Sequence, residues 1–302
     1  LHPDESSELF LPWNLFMTLK TNSLTPKALY VIKDKGTEPP FTGEYNEFSG
    51  IGTYLCRQCG LALFRSDSKF TSSCGWPSFD DEMADSVRQQ READGRTEIL
   101  CTRCDAHLGH VFKGEGYTAK NQRYCVNSLS VDFVQDPHVK DTDEAILAAG
   151  CFWGVETLFK KLPGVVKTEV GYTGGHAAHP GYREVCRGST GHIEAIRVIF
   201  DIEKLDYEDV IKYFFEIHDP TQKNGQGPDI GDQYLSKIFY YDQAQLDTAK
   251  AVMQILKNKN YDLATTLEPA AIFWPAEEYH QDYYEKTGKT PYCHFYQPKF
   301  DK

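Results

Sequence analysis

The sequence predicts two domains, the first mainly β and the second α+β. Three observations carry that expectation. A chain of 302 residues exceeds the commonest single-domain size. Residues from about 25 to 135 are rich in glycine, short apolar runs and turn clusters, and hold every cysteine that occurs as a CxxC pair. Beyond the polar, proline-bearing "QDPHVKDTDE" the pattern changes to apolar runs alternating with helix-period segments. The division is an extension at 1–24, a first domain at 25–136, a linker at 137–142 and a second domain at 143–302.

Along the chain, 1–24 has no clean period and is expected to lie on the first domain. "GTEPPFTGEY", "SGIGTYLC", "KGEGY" and "SVDF" read as short strands and turns. In the second domain "EAILAAG" reads as a buried strand. "VETLFKKL" reads as a helix, since Val155, Leu158, Phe159 and Leu162 follow an i, i+3, i+4, i+7 pattern. The mixture continues with "HIEAIRVIFD" (strand), "YEDVIKYFFEIH" (helix), "LSKIFYY" (strand) and "DTAKAVMQILKNK" (helix).

Composition excludes several roles. No apolar run approaches the roughly 18 residues of a membrane span. A formal charge of -12 without a basic cluster argues against nucleic acid and anionic membrane surfaces as partners. Nine cysteines in a chain too large to need disulfide staples point to metal ligands and working thiols, hence to a reducing compartment such as the cytoplasm. A chain that starts at Leu1 leaves a processed leader open.

Cys56 and Cys59 in "YLCRQCGL" and Cys101 and Cys104 in "ILCTRCDA" form two knuckles, each entered from an apolar run. Four thiolates suit tetrahedral zinc, and the cost of closing the long intervening loop rises only slowly with length. A closed site of this kind supports folding and performs no chemistry. A redox CxxC is the rival reading, weakened because redox dithiols usually come singly at a helix start.

"RYCVNSLSVDF" alternates, placing Cys125, Asn127, Leu129, Val131 and Phe133 on one face, expected to be the core face. A buried inert thiol is therefore one reading. The other is a reactive one: Arg123 favours a thiolate, Asn127 stands beside it, and "AHLGHVF" offers His107 and His110 as donors. "SSCGWPSF" adds a second thiol, Cys74, and the indole of Trp76.

"GTEPPFTGEY", "CGWPSF", "CDAHLGHVF" and "RYCVNS", in this order across about residues 24 to 135, resemble the B-type methionine sulfoxide reductases. The resemblance implies a mainly-β, zinc-containing domain in which Cys125 is the nucleophile, Cys74 the resolving thiol, and Cys56, Cys59, Cys101 and Cys104 the zinc ligands. It further implies that Trp76 packs on the substrate methyl, while His107, His110 and Asn127 handle the sulfoxide oxygen and bound water.

"GCFWG" puts Cys151 where a buried strand becomes an amphipathic helix, so free backbone N–H groups and the positive helix end favour its thiolate. Phe152 and Trp153 offer aromatic faces that suit a methyl on sulfur. Sulfoxide reduction needs a proton delivered to oxygen. Glu194 in "GHIEAIRVIF" shares a strand face with Ile196, Val198 and Phe200, an apolar setting that keeps a carboxylic acid protonated; an ion pair with Arg197 is the competing reading. His176 and His179 in "GGHAAHPGY" lack partners for a metal.

"GCFWG", "GYREVCRGSTGHIEA", "GPDIGDQY" and "EEYHQDYYEK...PYC", across about residues 143 to 296, resemble the A-type methionine sulfoxide reductases. The resemblance implies an α+β sandwich in which Cys151 attacks and Glu194 is the acid. It implies that Tyr182, Asp229 and Tyr234 orient the sulfoxide oxygen or a water, and that Cys293 is a resolving thiol on a mobile tail. Cys186 is left over and is expected to be structural. Together the two resemblances imply a bifunctional reductase of methionine sulfoxide, in proteins and as the free amino acid. The first domain takes the R epimer and the second the S epimer, through cysteine sulfenic acid and disulfide steps recycled by thioredoxin or a similar dithiol protein, with no organic cofactor.

Overall fold

The computed structural model describes residues 24–300. The extension at 1–24 therefore lies outside the described residues except for Leu24, which packs on the first core.

The first domain opens with a helix the apolar pattern did not announce, α1 (Pro26–Ile32). Its signal is local: Thr25 Oγ1 accepts from the Ala28 N–H at 3.2 Å, and Pro26 occupies the first turn. Nine strands follow: β1 (Thr53–Cys56), β2 (Ala62–Arg65), β3 (Lys69–Phe70), β4 (Ser78–Phe79), β5 (Val87–Arg91), β6 (Thr97–Cys101), β7 (His107–Lys113), β8 (Gln122–Val126) and β9 (Val131–Val134). They form a six-stranded antiparallel sheet ordered β3-β4-β8-β7-β6-β5 and a three-stranded one ordered β2-β1-β9. Tyr54, Phe64, Phe79, Tyr124 and Val126 fill the core of this domain.

The strand around Cys125 corrects the alternation read from sequence. Tyr124 and Val126 enter the core, and Cys125 lies on the opposite face, partly exposed. β8 ends at Val126, and a single turn of tight helix at Ser128–Ser130 resets the phase, so Val131 and Phe133 belong to a different sheet. Period-2 alternation holds only within one strand.

In the second domain the central sheet contains β10 (Thr142–Ala149), β11 (Val165–Thr173), β12 (Ile193–Asp201), β15 (Ser236–Tyr240), β16 (Thr266–Pro269) and β17 (Trp274–Pro275). Its order is β16-β15-β10-β12-β11-β17, parallel only between β15 and β16. β13 (Gly225–Gln226) and β14 (Asp229–Ile230) make a separate small hairpin. α2 (Phe152–Phe159), α4 (Tyr207–Glu216) and α5 (Gln243–Asn258) bury their apolar faces on one side of the sheet, with Leu147, Ile196, Val198 and Phe200 beneath them. The short α3 (Tyr182–Cys186) and α6 (Tyr283–Thr287) flank β12 and the C-terminal segment in sequence. The opposite face is covered by Ala270 and Phe273 over Ile146, Ala148 and Ile193. Every residue of β12 is buried, as expected of a strand in the middle of a covered sheet.

The segment read as a linker is packed between the domains. Val139 is fully buried with Leu55, Ala62, Val134 and Ile199. Lys167 binds Asp132 at 2.6 Å and Lys204 binds Asp136 at 2.7 Å across the same junction.

Candidate active sites and metal centre

The four knuckle cysteines converge. Cys56 Sγ lies 3.6 Å from Cys104 Sγ, and Cys59 Sγ lies 3.6 Å from Cys101 Sγ, with all four sulfurs within 4.8 Å of one another. Sulfurs on a tetrahedral zinc stand roughly 3.8 Å apart, so the cage fits the ion. Mutual contact pushes the thiols of Cys56 and Cys104 up, because clustered thiolates repel without a cation between them. The four-cysteine cage is consistent with structural zinc, which would supply that positive charge. The knuckles also touch the second domain: Thr142 donates to the Gly60 carbonyl, and Arg103 donates to the Thr142 carbonyl at 2.8 Å and pairs with Asp141.

A cleft of about 220 Å³ above the six-stranded sheet is lined by Cys125, Trp76, His110, Asn127, Phe112 and neighbours. Cys74 Sγ lies 3.8 Å from Cys125 Sγ. The shared hydrogen bond draws Cys74 down to about 4, with help from Ser72 and Ser78 against some desolvation. The same bond and burial push Cys125 up, opposed by the Arg123 guanidinium beside it. The pair thus gives up its first proton easily and its second with difficulty. Arg123 is itself locked by Glu115 at 2.8 and 3.0 Å and sits over Phe112. Asn127 braces the cleft with its amide already engaged: Oδ1 accepts from the Glu38 N–H and Nδ2 donates to the Leu108 carbonyl.

His107 does not join this cleft. A register irregularity where Ile99 pairs with Gly109 and Leu100 with His107 keeps the two rings on one face, 5.6 Å apart and edge to face; His110 lines the cleft while His107 is buried behind it with Nδ1 2.7 Å from Glu98. Glu98 also takes Lys35 at 2.7 Å. Sequence reasoning missed Glu38, whose backbone carbonyl accepts from Trp76 Nε1 at 3.0 Å and whose side chain accepts from the N–H groups of Ser128 and Leu129. An acid in the quoted "GTEPPFTGEY" motif was the available signal.

In the second domain Cys151 is the N-cap of α2, and the Trp153 backbone N–H favours its thiolate. The expected balance is reversed in this state: contact with Cys293, then burial, outweighs the amide and pushes the Cys151 thiol up. Sγ of Cys151, Sγ of Cys293 and a carboxylate oxygen of Asp229 lie within 4.8 Å of one another. Glu194 is buried on the helix-facing side of β12, and desolvation together with the Cys151 charge raises it well above the usual carboxylate range. It accepts from the Phe152 N–H at 3.1 Å. The alternative ion pair is absent, since Arg197 points to the other face and binds Glu169 at 2.9 Å.

Tyr182 and Tyr234 both feel the Glu194 charge, and the Tyr182 ring stacks on Phe152. The Trp153 indole stacks on Tyr283 at 3.7 Å and donates to His280 Nδ1 at 3.0 Å. His280 and Tyr283 were not foreseen, though both lie in the quoted "EEYHQDYYEK".

The segment bearing Cys293 is anchored where a mobile tail was expected. Cys293 and His294 are buried, Tyr292 donates to Asp229 at 3.1 Å, and the Gln297 N–H reaches the Glu216 carbonyl at 2.7 Å. Cys186 also departs from expectation: it is exposed at the end of α3 and contributes nothing to a core.

Two pairs of neighbouring thiols, each beside an indole, and a separate four-cysteine cage define a thiol oxidoreductase with two reaction centres. Residues 143–302 match the family described as Peptide methionine sulfoxide reductase, and residues 24–135 match the SelR domain. Among relatives, the Peptide methionine sulfoxide reductase MsrA of Thermus thermophilus is 49% identical over 160 residues, 52% of this chain and 91% of that protein. The MsrA of Methanosarcina acetivorans is 44% identical over 178 residues, 58% of this chain and 94% of that one. The crystal structure of reduced Mxr1 from Saccharomyces cerevisiae superposes with a TM-score of 0.50 at 34% identity, over 54% of this chain and 94% of that chain. The chain belongs to the peptide methionine sulfoxide reductase family and is a methionine sulfoxide reductase with a B-type domain ahead of an A-type domain. Among the described residues no helix is long and apolar enough to cross a membrane.

Proposed function

We propose that the two domains, 25–136 and 143–302, divide the epimers of methionine sulfoxide, the R form going to Cys125 and the S form to Cys151, in proteins and as the free amino acid. The observation that carries this is the presence of two separate dithiol pairs, Cys74 with Cys125 and Cys151 with Cys293, each next to an indole. A pocket that fixes methyl and oxygen for one configuration at sulfur misplaces them for the other, so one site per epimer is required.

In each site the thiolate attacks the sulfoxide sulfur, methionine leaves, and the cysteine becomes a sulfenic acid that the second thiol condenses to a disulfide. In the second site Glu194, held protonated by burial and by the attacking thiolate, delivers the proton to oxygen. Tyr182, Tyr234 and Asp229 orient that oxygen or a water, and Phe152 and Trp153 receive the methyl. In the first site Trp76 receives the methyl while His110, Asn127 and Arg123 hold the oxygen and favour the thiolate. His107 acts behind them through Glu98. Cys56, Cys59, Cys101 and Cys104 would hold zinc, which would tie together the strand ends at β1, β6 and β7. Thioredoxin or a similar dithiol protein restores both pairs by exchange, which suits a reducing compartment such as the cytoplasm.

The test is turnover of separate R and S sulfoxides of a blocked methionine with dithiothreitol. Cys125→Ser is expected to abolish R turnover and spare S, and Cys151→Ser the reverse. Loss of both activities in either variant, or of neither, rejects the division.

A further inference from the structure

His294 follows Cys293 and is 3% exposed. Its Nε2 lies 2.6 Å from the carbonyl oxygen of Ala149, the residue that ends β10. A carbonyl only accepts, so Nε2 carries the hydrogen, and in the neutral ring Nδ1 then keeps its lone pair. That lone pair faces Cys293 Sγ at 3.0 Å. Gly154 leaves the ring its space: a Cβ there would stand 2.4 Å from His294 Nδ1. One backbone carbonyl thus sets the tautomer, and one small residue of α2 sets the position.

We infer that His294 is the general base that ionises Cys293 when the second thiol of this site closes the disulfide, an inference that rests on the reading of Cys293 as the resolving thiol. Cys293 gives its proton to His294 Nδ1, and its sulfur electron pair forms the bond to Cys151 Sγ. The S–O bond of the Cys151 sulfenic acid breaks, and its electron pair leaves with oxygen as hydroxide. The hydroxide takes the proton from His294 and departs as water. Sulfenic acid and thiol thus become disulfide and water with no outside reagent, and His294 ends neutral as it began.

The surroundings suit a transient cation. Burial lowers His294, while the Ala149 carbonyl and the Asp229 carboxylate on β14 support its charged form. Buried His218, after α4, feels His294 but is itself pushed down to about 3, so it stays neutral across the working range. Cys151 at the head of α2 and Cys293 supply the remaining titratable sulfurs, and Tyr284 and Tyr292 nearby are both raised above the ordinary phenol range.

The experiment is a single turnover of the full chain on S-sulfoxide without reductant, in a Cys125→Ser background. It follows methionine released, free thiols lost, and sulfenic acid trapped by a dimedone probe, from pH 6 to 9. The parent is expected to close the disulfide, once methionine has been released, at a rate nearly flat with pH. His294→Gln keeps a donor for the Ala149 carbonyl but no base. It should release methionine at the parent rate and accumulate sulfenic acid, closing the disulfide at least tenfold more slowly at pH 7, because an unassisted thiol is only a few per cent thiolate there. Its rate should recover about tenfold per pH unit. Closure by His294→Gln at the parent rate and with the parent profile overturns the inference. So does a parent rate that already falls tenfold per unit below pH 8, a result that needs no variant. Cys293→Ser separates the two ideas: if it too loses sulfenic acid at the parent rate, Cys293 is not the resolving thiol.

Discussion

Replacing Glu194 with glutamine removes one proton and little else. The side chain is 1% exposed, and its Oε2 already accepts from the Phe152 N–H at 3.1 Å, a bond that the glutamine oxygen can keep. What glutamine cannot do is donate to a developing oxide, and a positioned general acid contributes about 10²–10⁴-fold, or roughly 3 to 5 kcal/mol of barrier. The expected result is a fall of at least a hundredfold in single-turnover methionine release from the S-sulfoxide, with R turnover unchanged. The pH profile carries independent information. Burial and the Cys151 charge raise Glu194, so the protonated acid persists above the usual carboxylate range, and the parent rate falls only as pH rises through that raised value. Glu194→Gln should lack this falling limb. A variant within threefold of the parent, with the high-pH limb intact, would refute the assignment of the acid.

Two other perturbations test the frame around the sites. Glu156, buried beneath Asp282 and accepting its N–H at 2.8 Å, is raised from 4.5 to about 7 by desolvation first and the Asp282 charge second. Its folded value exceeds its unfolded one, so its stabilisation is complete below about pH 4.5 and is lost as pH rises through 7. The shift corresponds to at most about 3 kcal/mol. Urea denaturation should therefore show Glu156→Gln gaining on the parent between pH 5 and pH 8, and a constant difference across that range would remove the claim. For the metal centre, Cys101→Ser should abolish retention of one zinc per chain, measured by mass and by a colorimetric chelator. It should also lower the melting temperature of the first domain, since structural zinc in small peptides supplies about 10–16 kcal/mol of folding energy. A parent protein purified without stoichiometric zinc contradicts this.

Much of both sites was legible, for reasons that differ by residue. The knuckle cysteines needed only spacing, because two CxxC pairs in one β domain leave few ways to satisfy four thiolates. Glu194 needed only alternation, because β12 is one uninterrupted strand and its phase holds from Ile193 to Asp201. The same rule failed at Cys125, where apolar residues occupy both phases and a tight turn at Ser128–Ser130 breaks the strand. At β7 strict alternation would part His107 from His110; a register irregularity in the β6–β7 pairing instead keeps their rings 5.6 Å apart on one face, with His107 buried behind His110. Local amides predicted an ionised Cys151; the neighbour that outweighs them, Cys293, lies far along the chain.

The sequence by itself determined the chemistry on offer: which thiols exist, which come as metal knuckles, and which apolar strand would hold a carboxylic acid neutral. These are properties of a residue and its near neighbours along the chain. Only the tertiary structure decided how those groups are paired. It set Cys74 against Cys125, seated Cys293 and His294 on the end of β10, and packed the supposed linker through Val139 into a core shared by both domains. Such pairings join segments tens of residues or more apart, and nothing in a local periodicity carries the distance between them.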